Sequence, residues 1–584
     1  MLVPLAGGGQ ETLLSEVGFV LLPFFTTRDA RALRLVCREF LAAVAERPWE
    51  DAHTVITGRL AAWRACFPRA LAANVTQVER GTGWRTTPLL DADFVHLRGL
   101  RNLNMAGCTS VTDAAFAHLR GICTLDMSRC DQAGITDAAF AHLGGIHTLV
   151  MCCCDQAGIT DAAFVHLRGV HTLDVSGCDQ AGITDAAFVH LRGVHTLDMS
   201  GCRQANITDA AFVHLQGVHT LTMSGCSQES ITDAAFAHLR GIHTLNISGC
   251  SVSGAAFVHL RGIHSLNMKR CRQAGITDAA FEHLSGIHTL DMSGCSQESI
   301  TDAAFLHLRG IHSLDLSGCN QAGITDAAFA HLRGIHTLNM GGCSQEGVTD
   351  AALSHLRGIN NLNISNCRQL TDAGFAHLRG IHSLGMNWCS QPGITDAAFA
   401  HLRGIHTLYM AGCNQPGITD AAFAHLRGIH TLSMDCCKQA GITDAAFAHL
   451  AGIHTLGMSN CDQEGITDAA FVHLAGIHTL EMSCCCQEGI TDAAFAHLRG
   501  IHTLNMNACS QAGITDAAFA HLRGIRALQI WDCGQGLTGS TFGHLSGVEE
   551  LFVSSKVLHS VALSLGLPSH YTSFDHHSDD GENN

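Results

Sequence analysis

The residues of this sequence that could do chemistry are, first of all, its 27 cysteines and 40 histidines. Nineteen of the cysteines, from Cys108 to Cys533, mark a repeat whose spacing is 24 residues except at three places. None of the nineteen shows the paired C-x-x-C spacing of a zinc site. We expect buried packing residues whose thiols donate to backbone carbonyl groups. The three consecutive cysteines at 152–154 and at 484–486 are exceptions, where zinc binding or redox chemistry is the alternative.

The histidines fall into two columns, one on the predicted helices and one just before the predicted strands. His96 and His118 begin the helix column, and His147 and His171 begin the strand column. Imidazole rings about 5 to 10 Å apart cannot all be charged, so we expect most of them to be neutral at pH 7. We therefore predict a scaffold role for both columns, and a stability that falls below about pH 6.

Other catalytic patterns do not stand out from the repeat. The glycines recur at predicted helix ends and form no phosphate-cradling loop. The sequence has no serine nucleophile elbow and no isolated pair of acids. The aspartate that follows each threonine, as Asp113 does, belongs to a helix N-terminus, and the arginine of each Leu-Arg-Gly turn to a helix C-terminus. We expect no enzymatic activity, no cofactor and no metal.

The elements that must position these residues are predicted from a single unit of the repeat. Leu149 and Met151 have the period-two spacing of a short strand with those side chains pointing inward. Thr160 can cap a helix that begins at Asp161 and carries Phe164 on its buried side. A helix of about eight residues is not stable alone, so each unit must dock on its neighbours. The pattern predicts a solenoid rather than several globular domains.

The eighth repeat departs from this pattern. Residues 251–254, Ser-Val-Ser-Gly, replace the longer loop that carries the Thr-Asp cap in the other units. We therefore expect a missing helix cap at this repeat, with a local irregularity or hinge.

The order of strand, cysteine and helix in every unit resembles the cysteine-containing subclass of the leucine-rich repeat, in which a cysteine replaces the consensus asparagine at the strand end. The resemblance covers residues 70–553. It implies an α/β leucine-rich-repeat solenoid of about twenty repeats, with a curved parallel sheet inside and short helices outside. In such a fold the concave face of the sheet has no packing duty and is free to bind a partner.

Residues 13–49 do not follow the repeat. The string Leu-Arg-Leu-Val-Cys-Arg at 33–38, followed by Phe40 and Trp49, resembles an F-box, the motif that docks to the adaptor subunit of a cullin–RING ubiquitin ligase. Ser15 stands where that family usually has proline. The alternative is an ordinary helical cap on the first repeat. The resemblance implies an N-terminal α-helical F-box-like module that contacts the adaptor through Leu14, Leu21, Leu22, Leu33, Leu35, Val36 and Phe40.

The predicted domain boundaries follow from these patterns. The F-box-like module spans 11–50, a linker with an irregular first repeat spans 51–90, and the solenoid spans 91–553. Within them, Asn74 and Val75 are predicted as an early strand and residues 551–553 as the last strand. A C-terminal cap at 554–568 and a disordered acidic tail at 569–584 follow.

Composition excludes several classes of partner. The net charge is −17, only 15% of the residues are charged, and no block of Lys or Arg occurs. Such a chain is a poor partner for nucleic acid or for an anionic membrane surface. The longest apolar stretch is the nine residues 17–25, and the first basic residue is Arg28, which predicts neither a membrane span nor a signal peptide. We therefore expect a cytoplasmic or nuclear protein without nucleic acid or membrane partners.

The residues that differ most between repeats lie at strand positions that would face the concave side. The outward residue in the strand varies, whereas the helix sequence hardly changes. The alternative is drift at positions that packing does not constrain, which would leave an ordinary solvated surface. As partner-binding residues we single out acidic positions, a basic pair and three aromatic side chains: Asp174, Asp198, Lys269, Arg270, Asp291, Asp315, Trp388, Tyr409 and Trp531.

Together the two resemblances imply a non-catalytic, substrate-recognition subunit of a cullin–RING (SCF-type) E3 ubiquitin ligase. The F-box would dock to the adaptor and cullin complex, and the concave face would hold an unknown protein substrate. The alternative is a leucine-rich-repeat scaffold that binds proteins without a ligase role. A metal- or thiol-dependent enzyme is a third class, which stoichiometric zinc in the purified protein would indicate.

Overall fold

The computed structural model describes residues 26–27, 30–31, 38–77, 88–533, 537, 545 and 548–553, without the side chains of residues 38–40 and 553. The chain divides into two compact units, the first ending at Asn267 and the second beginning at Met268. Both units repeat the same turn of chain, which consists of a short strand, a tight turn that ends at a cysteine, a loop and a short helix.

Each strand follows from an alternation of buried and half-exposed residues. In Thr196–Asp198, Leu197 is fully buried while its two neighbours are half-exposed. Met199 continues the inward row and is also fully buried. Because successive residues of a strand point to opposite faces, Leu and Met fill the core and the residues between them line the other face. The prediction of short strands with inward Leu and Met is confirmed.

Within each unit, neighbouring strands are parallel and in register, so equivalent residues stack in columns. Leu408 of one strand, for example, pairs with Leu432 of the next. A parallel pair needs a crossover connection, which each loop and helix supplies. The first unit contains β1 (Ala72–Asn74), β2 (Asn102–Asn104), β3 (Thr124–Asp126), β4 (Thr148–Val150), β5 (Thr172–Asp174), β6 (Thr196–Asp198), β7 (Thr220–Thr222), β8 (Thr244–Asn246) and β9 (Ser265–Asn267).

The second unit continues the same pattern of strands. They are β10 (Thr289–Asp291), β11 (Ser313–Asp315), β12 (Thr337–Asn339), β13 (Asn361–Asn363), β14 (Ser383–Gly385), β15 (Thr407–Tyr409), β16 (Thr431–Ser433), β17 (Thr455–Gly457), β18 (Thr479–Glu481), β19 (Thr503–Asn505), β20 (Ala527–Ile530) and β21 (Glu550–Val553). The predicted last strand is confirmed, since β21 pairs in parallel with β20. The predicted early strand lies slightly earlier in the chain, as β1.

The helices are shorter than the sequence predicted. Thr325 caps its helix by accepting a hydrogen bond from the backbone N–H of Ala327, and Ala328 and Phe329 are buried. The α-helical part then has only four residues. The chain tightens into a 3₁₀ turn after it, because this turn places the next buried residue, Leu332, in the core. The expected length of about eight residues is therefore split between two kinds of turn.

The α-helices of the first unit are α1 (Arg38–Glu46), α2 (Leu60–Cys66), α3 (Asp113–Phe116), α4 (Asp137–Phe140), α5 (Asp161–Phe164), α6 (Asp185–Phe188) and α7 (Asp209–Phe212). Those of the second unit are α8 (Asp278–Phe281), α9 (Asp302–Phe305), α10 (Asp326–Phe329), α11 (Asp350–Ser354), α12 (Asp372–Phe375), α13 (Asp396–Phe399), α14 (Asp420–Phe423), α15 (Asp444–Phe447), α16 (Asp468–Phe471), α17 (Asp492–Phe495) and α18 (Asp516–Phe519). Three turns of the first unit are 3₁₀ throughout, at Asp91–Leu97, Asp233–Leu239 and Gly254–His259.

Hydrogen bonds between successive turns hold the helix side together. Asp302 accepts from the backbone N–H of Thr325 at 2.7 Å and from its hydroxyl at 2.7 Å. The same two bonds recur along both units, from Asp91 with Thr112 to Asp492 with Thr515. The aspartate was predicted to serve its own helix N-terminus, but it also fixes the capping threonine of the next turn.

The ladder cysteines join the turns on the inside. Cys178 Sγ donates to the carbonyl oxygen of Met151 in the preceding turn, at 3.0 Å. Burial raises the pKa of Cys108 to about 12 and that of Cys389 to about 11. Beside them, Gln321 Nε2 donates to the carbonyl oxygen of Cys295 at 2.9 Å. The prediction that these thiols pack in the core and donate to backbone carbonyl groups is confirmed.

The prediction of a missing helix cap in the eighth repeat is wrong. Ser253 takes the place of the threonine, and its hydroxyl accepts from the backbone N–H of Ala255 at 3.2 Å. Its own N–H and hydroxyl both donate to Asp233 of the preceding turn. A serine hydroxyl makes the same bonds as that of threonine, so the shortened loop keeps both the cap and the inter-turn link.

The segment ahead of β1 is joined directly to the first strand. Trp49 is buried, donates its indole N–H to the carbonyl oxygen of Val44 at 2.8 Å and meets Phe67 edge-on with 5.5 Å between ring centroids. The backbone N–H groups of Leu71 and Ala72 both donate to its carbonyl oxygen. The residues that follow α1 therefore cover the end of the stack.

Several predictions lie outside the described residues. Among the proposed adaptor contacts, Leu14, Leu21, Leu22, Leu33, Leu35 and Val36 lie there, and so does the side chain of Phe40 in α1. The proposed C-terminal cap at 554–568 and tail at 569–584 lie there too. In the part of the chain that the structure describes, no helix has the length and apolarity to cross a membrane.

Candidate protein-binding face

The surface available for binding is the side of the sheet that faces away from the core. We call it the open face and define it by three positions in each turn: the first and third strand residues and the second residue after the strand, as in Thr172, Asp174 and Ser176. These side chains are half-exposed there, whereas Leu173 between them is fully buried. The residue before each ladder cysteine sits beside this face in a tight turn with positive φ, as Gly177 does.

The four predicted acidic residues lie on the open face in two adjacent pairs. Asp174 is the register partner of Asp198 in the first unit, and Asp291 is that of Asp315 in the second. Each carboxylate accepts a hydrogen bond from the backbone N–H of the residue two positions later in the chain. The distance from the Ser176 nitrogen to Asp174 Oδ1 is 2.8 Å. Part of their hydrogen-bonding capacity therefore stabilises the local turn, and Asp315 accepts a second bond from Asn339 Nδ2 at 2.9 Å.

The predicted basic pair is divided between two positions. Lys269 occupies an open-face position and is exposed. Arg270 is exposed as well, but it lies in the adjacent tight turn with a φ of 56°. The aliphatic part of the Arg270 side chain lies close to Gly294 of the next turn. A Cβ added to Gly294 would be 3.3 Å from Arg270 Cγ. The two cations thus project from neighbouring but different columns.

The predicted aromatic residues are the most exposed large hydrophobic side chains on and beside the open face of the second unit. Tyr409 ends β15 and is 42% exposed, with only Gly385 and Ser433 as its register partners. Trp388 is 58% exposed, and it lies in the tight turn after β14 rather than on a strand as predicted. Its indole lies across Gly412, where a Cβ would overlap the ring.

Trp388 adopts a backbone conformation that a bulky residue rarely takes. Its φ is 59°, and nine of the nineteen described turns of this column hold glycine, such as Gly318 and Gly342, while Trp388 is the largest of the other residues. A left-handed conformation costs a non-glycine residue about 1–2 kcal/mol. Trp531 is the third predicted aromatic, 40% exposed at an open-face position, and its backbone N–H donates to Asn507 Oδ1 at 2.7 Å.

Asp435 and Glu481 are acidic residues of this face that the sequence reasoning did not single out. Asp435 follows β16 at an open-face position and accepts from the Ser433 hydroxyl at 2.5 Å. Glu481 ends β18, and desolvation together with the charge of Asp435 raises its pKa above the ordinary value. Glu481 occupies the outward strand position that varies between repeats in the sequence. A comparison of neighbouring turns around Gly457 could have singled out both residues.

The described cysteines outside the ladder form no metal centre. Cys153, Cys484 and Cys486 are exposed, whereas the middle residue of the second triplet, Cys485, is buried. Burial and the neighbouring Cys152 raise the pKa of Cys153, which lowers its thiolate fraction at neutral pH. In the described part of the chain, no group of three or more His, Cys, Asp or Glu side chains could hold a metal ion.

The strand-side histidines form stacks of parallel rings. His147 and His171 lie 4.6 Å apart between ring centroids at an interplanar angle of 13°, and His454 and His478 lie 4.4 Å apart at 12°. Where threonine follows the histidine, its hydroxyl is hydrogen-bonded to Nδ1, at 3.3 Å for His171 and Thr172. Parallel rings turn their nitrogen lone pairs in the same direction, so neighbours in the stack do not converge on one ion. The predicted column is confirmed, with closer spacing than expected.

Comparison with known proteins agrees with the fold. The model of BspA-type leucine-rich repeat regions matches with six copies, over residues 205–335 and 251–382, and does not extend to residues 11–50. The crystal structure of the TLR13–ssRNA13 complex has a TM-score of 0.57 at 16% identity, covering 86% of this chain and 79% of its own. A structure of the Toll–Spatzle complex from Drosophila has a TM-score of 0.49 at 14% identity, covering 69% and 64%.

No curated protein sequence matches the chain. At the identities found among solved structures, the likeness concerns the fold alone. The matching repeat model shows leucine-rich repeats within residues 205–382, and the parallel strands in register give the described chain a leucine-rich-repeat fold.

Proposed function

We propose that this protein binds other proteins through the open face of its second unit and the tight turns beside it, with Tyr409 and Trp388 as anchors. The observation that supports the proposal is the exposure of both aromatic side chains on a surface that has no packing duty. Aromatic residues are common hot spots of protein interfaces, because each buries a large apolar area at a small cost in side-chain entropy. Trp388 in addition occupies a strained turn that the fold would fill more favourably with glycine.

Capture of partner proteins tests this function. The full chain and the double variant Trp388→Gly, Tyr409→Ser are immobilised and exposed to the same cell lysate. We expect the wild type to retain specific proteins that the double variant loses. The matched control is Val472→Ser, which removes an exposed apolar residue from the helix side of the same unit. Equal retention by the double variant and the wild type would refute the proposal.

We further propose that the partner is a substrate recruited to a cullin–RING ubiquitin ligase, with residues 11–50 as the adaptor-docking module. The support is the F-box-like order of residues at 33–38, followed by Phe40 and Trp49. The buried Trp49 couples the segment after α1 to the first strand, so the end of the proposed docking module is joined directly to the repeats. The chain has three lysines among 34 basic residues, which would limit its own ubiquitination.

A pull-down with the purified adaptor subunit separates the ligase role from a scaffold role. We expect the wild type to bind, and Leu35→Asp with Val36→Asp to abolish binding, because charge at these positions would disrupt an apolar docking surface. Binding of lysate proteins to the open face should be the same for both chains. A wild type that captures proteins but not the adaptor would leave the scaffold function alone.

A further inference from the structure

Two carboxylates lie beside the aromatic anchors on the open face of the second unit. Asp435 follows β16 and Glu481 ends β18. Between them lies Gly457, the register partner of Glu481, and a Cβ on it would be 2.9 Å from Asp435 Oδ2. The carboxylate of Asp435 thus leans over the one position between these strands that has no side chain. Gly457 is itself buried, and the two acids lie on either side of it.

The partners of these two acids within the chain are neutral. Asp435 accepts from the Ser433 hydroxyl at 2.5 Å and from the backbone N–H of Ser459 at 2.7 Å. Glu481 is hydrogen-bonded to the side chain of Asn505. These bonds satisfy part of each carboxylate but do not neutralise its charge.

Among the described residues of this face, no neighbouring cation offsets the two charges. The open-face positions between 383 and 507 hold only Ser, Thr, Gly, Ala, Asn, Tyr, Asp and Glu. Lys438 lies near in the sequence, but it belongs to the loop after the ladder cysteine, and its Nζ pairs with Asp462 at 3.2 Å. These positions therefore present negative charge and aromatic surface together, with no positive side chain of their own.

The aromatic ring and the carboxylates are separated by small residues. Tyr409 pairs in register with Ser433, whose hydroxyl donates to Asp435. Gly457 is the next residue in the same column. A side chain laid over Ser433 would meet Tyr409 on one side and the carboxylate of Asp435 on the other, with Glu481 beyond the buried Gly457. A cation gains from both contacts, since it is attracted to the face of an aromatic ring and makes strong hydrogen bonds to carboxylates.

We propose that this part of the open face binds a protein segment that presents an arginine or lysine next to an apolar residue. The cationic group lies against Asp435 and Glu481, and the apolar residue packs on Tyr409 and Trp388. Arginine fits this site best, because its planar guanidinium can stack on the tyrosine while it donates two hydrogen bonds to a carboxylate. The inference rests on the proposed function, since it names the chemistry of the partner that the open face recognises.

The test uses a phage-displayed library of random dodecapeptides selected on the full chain. We expect selected peptides to be enriched in Arg or Lys adjacent to Leu, Phe or another apolar residue. The affinity of the most enriched peptide, measured by fluorescence anisotropy, should fall about tenfold in Asp435→Asn with Glu481→Gln. It should also fall as salt is raised from about 50 mM to about 500 mM. Both substitutions keep the size of the side chain, and circular dichroism checks that the fold is unchanged.

The first unit supplies a matched control. Asp174→Asn with Asp198→Asn also removes two charges from the open face, but Val150 and Thr222 flank that pair in place of an aromatic anchor. Peptide affinity should not change in this control. Selected peptides without a basic residue, no selection at all, or equal loss of affinity in the two double variants would overturn the inference. If peptides without basic residues lose binding in Tyr409→Ser, the open face still binds proteins and only the basic partner is wrong.

Discussion

At the scale of single residues, the capping threonines carry more of the stability than their exposure suggests. Thr419 donates to Asp396 through its N–H and its hydroxyl, both at 2.7 Å, and its hydroxyl accepts from the N–H of Ala421. In Thr419→Val the N–H bond remains, but the hydroxyl bond and the cap are lost. We expect the free energy of unfolding to fall by about 1–2 kcal/mol, measured by urea denaturation.

The control for this change is Thr431→Val on the open face. The hydroxyl of Thr431 is paired with the exposed ring of His430, so its loss should cost less than about 0.5 kcal/mol. Equal effects of the two substitutions would mean that the threonine–aspartate bonds between turns do not stabilise the stack.

Trp388 offers a second prediction at the residue scale, in which stability and binding change in opposite directions. Glycine adopts the φ of 59° without strain, so Trp388→Gly should raise the free energy of unfolding by up to about 1 kcal/mol. The same change should weaken partner binding. Urea denaturation and partner capture measure the two effects on one preparation. A variant that is less stable than the wild type would mean that the indole packing over Gly412 outweighs the strain.

Single residues also mark where sequence reasoning was incomplete. Exposed Tyr409 could be predicted, because the period-two pattern assigns every outward position. The left-handed turn at Trp388 could not be predicted, because the sequence pattern does not fix the φ of the residue that precedes each ladder cysteine. The close approach of Asp435 to Gly457 could not be predicted either, because the two residues are distant in sequence and come together only when neighbouring turns stack.

At the scale of elements, the histidine stack makes the fold sensitive to acid. Desolvation and the charge of neighbouring rings lower the pKa of His171, His243 and His406. The unfolded chain then binds more protons than the folded one once the pH falls below about 6.5. We expect the full stability above that pH and a progressive loss below it, seen as a lower urea midpoint at about pH 5 than at about pH 7.5.

Replacing rings in the middle of the stack checks the origin of this effect. Asn360 already occupies the equivalent position of one turn, so His406→Asn with His430→Asn should fold normally. The urea midpoint of this variant should change less between the two pH values than that of the wild type. An identical pH dependence would place its cause outside the stack.

The elements themselves were largely predictable, with two instructive exceptions. Strand positions follow from a repeated Leu-x-Met pattern that only one register satisfies. Helix length was overestimated, because spacing alone does not distinguish an α-helical turn from the 3₁₀ turn that follows it. The cap at Ser253 does not follow from the repeat pattern, because the pattern places a capping threonine at a fixed distance from the cysteine. The shortened loop brings a serine to the capping position instead.

At the scale of the whole molecule, the repeat was predicted most completely and the function least. Nineteen cysteines in one register are enough to predict a stack of similar turns. The same uniformity conceals the binding site, since function depends on the few turns that differ from the others. Two of the negative charges that make up the net charge of −17 are those of Asp435 and Glu481, and these two lie beside aromatic surface.

The most direct test of the central claim, that partners bind the open face of the second unit, is hydroxyl-radical footprinting of the full chain with and without a captured partner. Tyr409 and Trp388 are exposed in the free protein and should be protected in the complex. Leu306 and Val472, exposed on the helix side, should be oxidised equally in both states. Protection of Leu306 and Val472 with unchanged oxidation of Tyr409 and Trp388 would contradict the account.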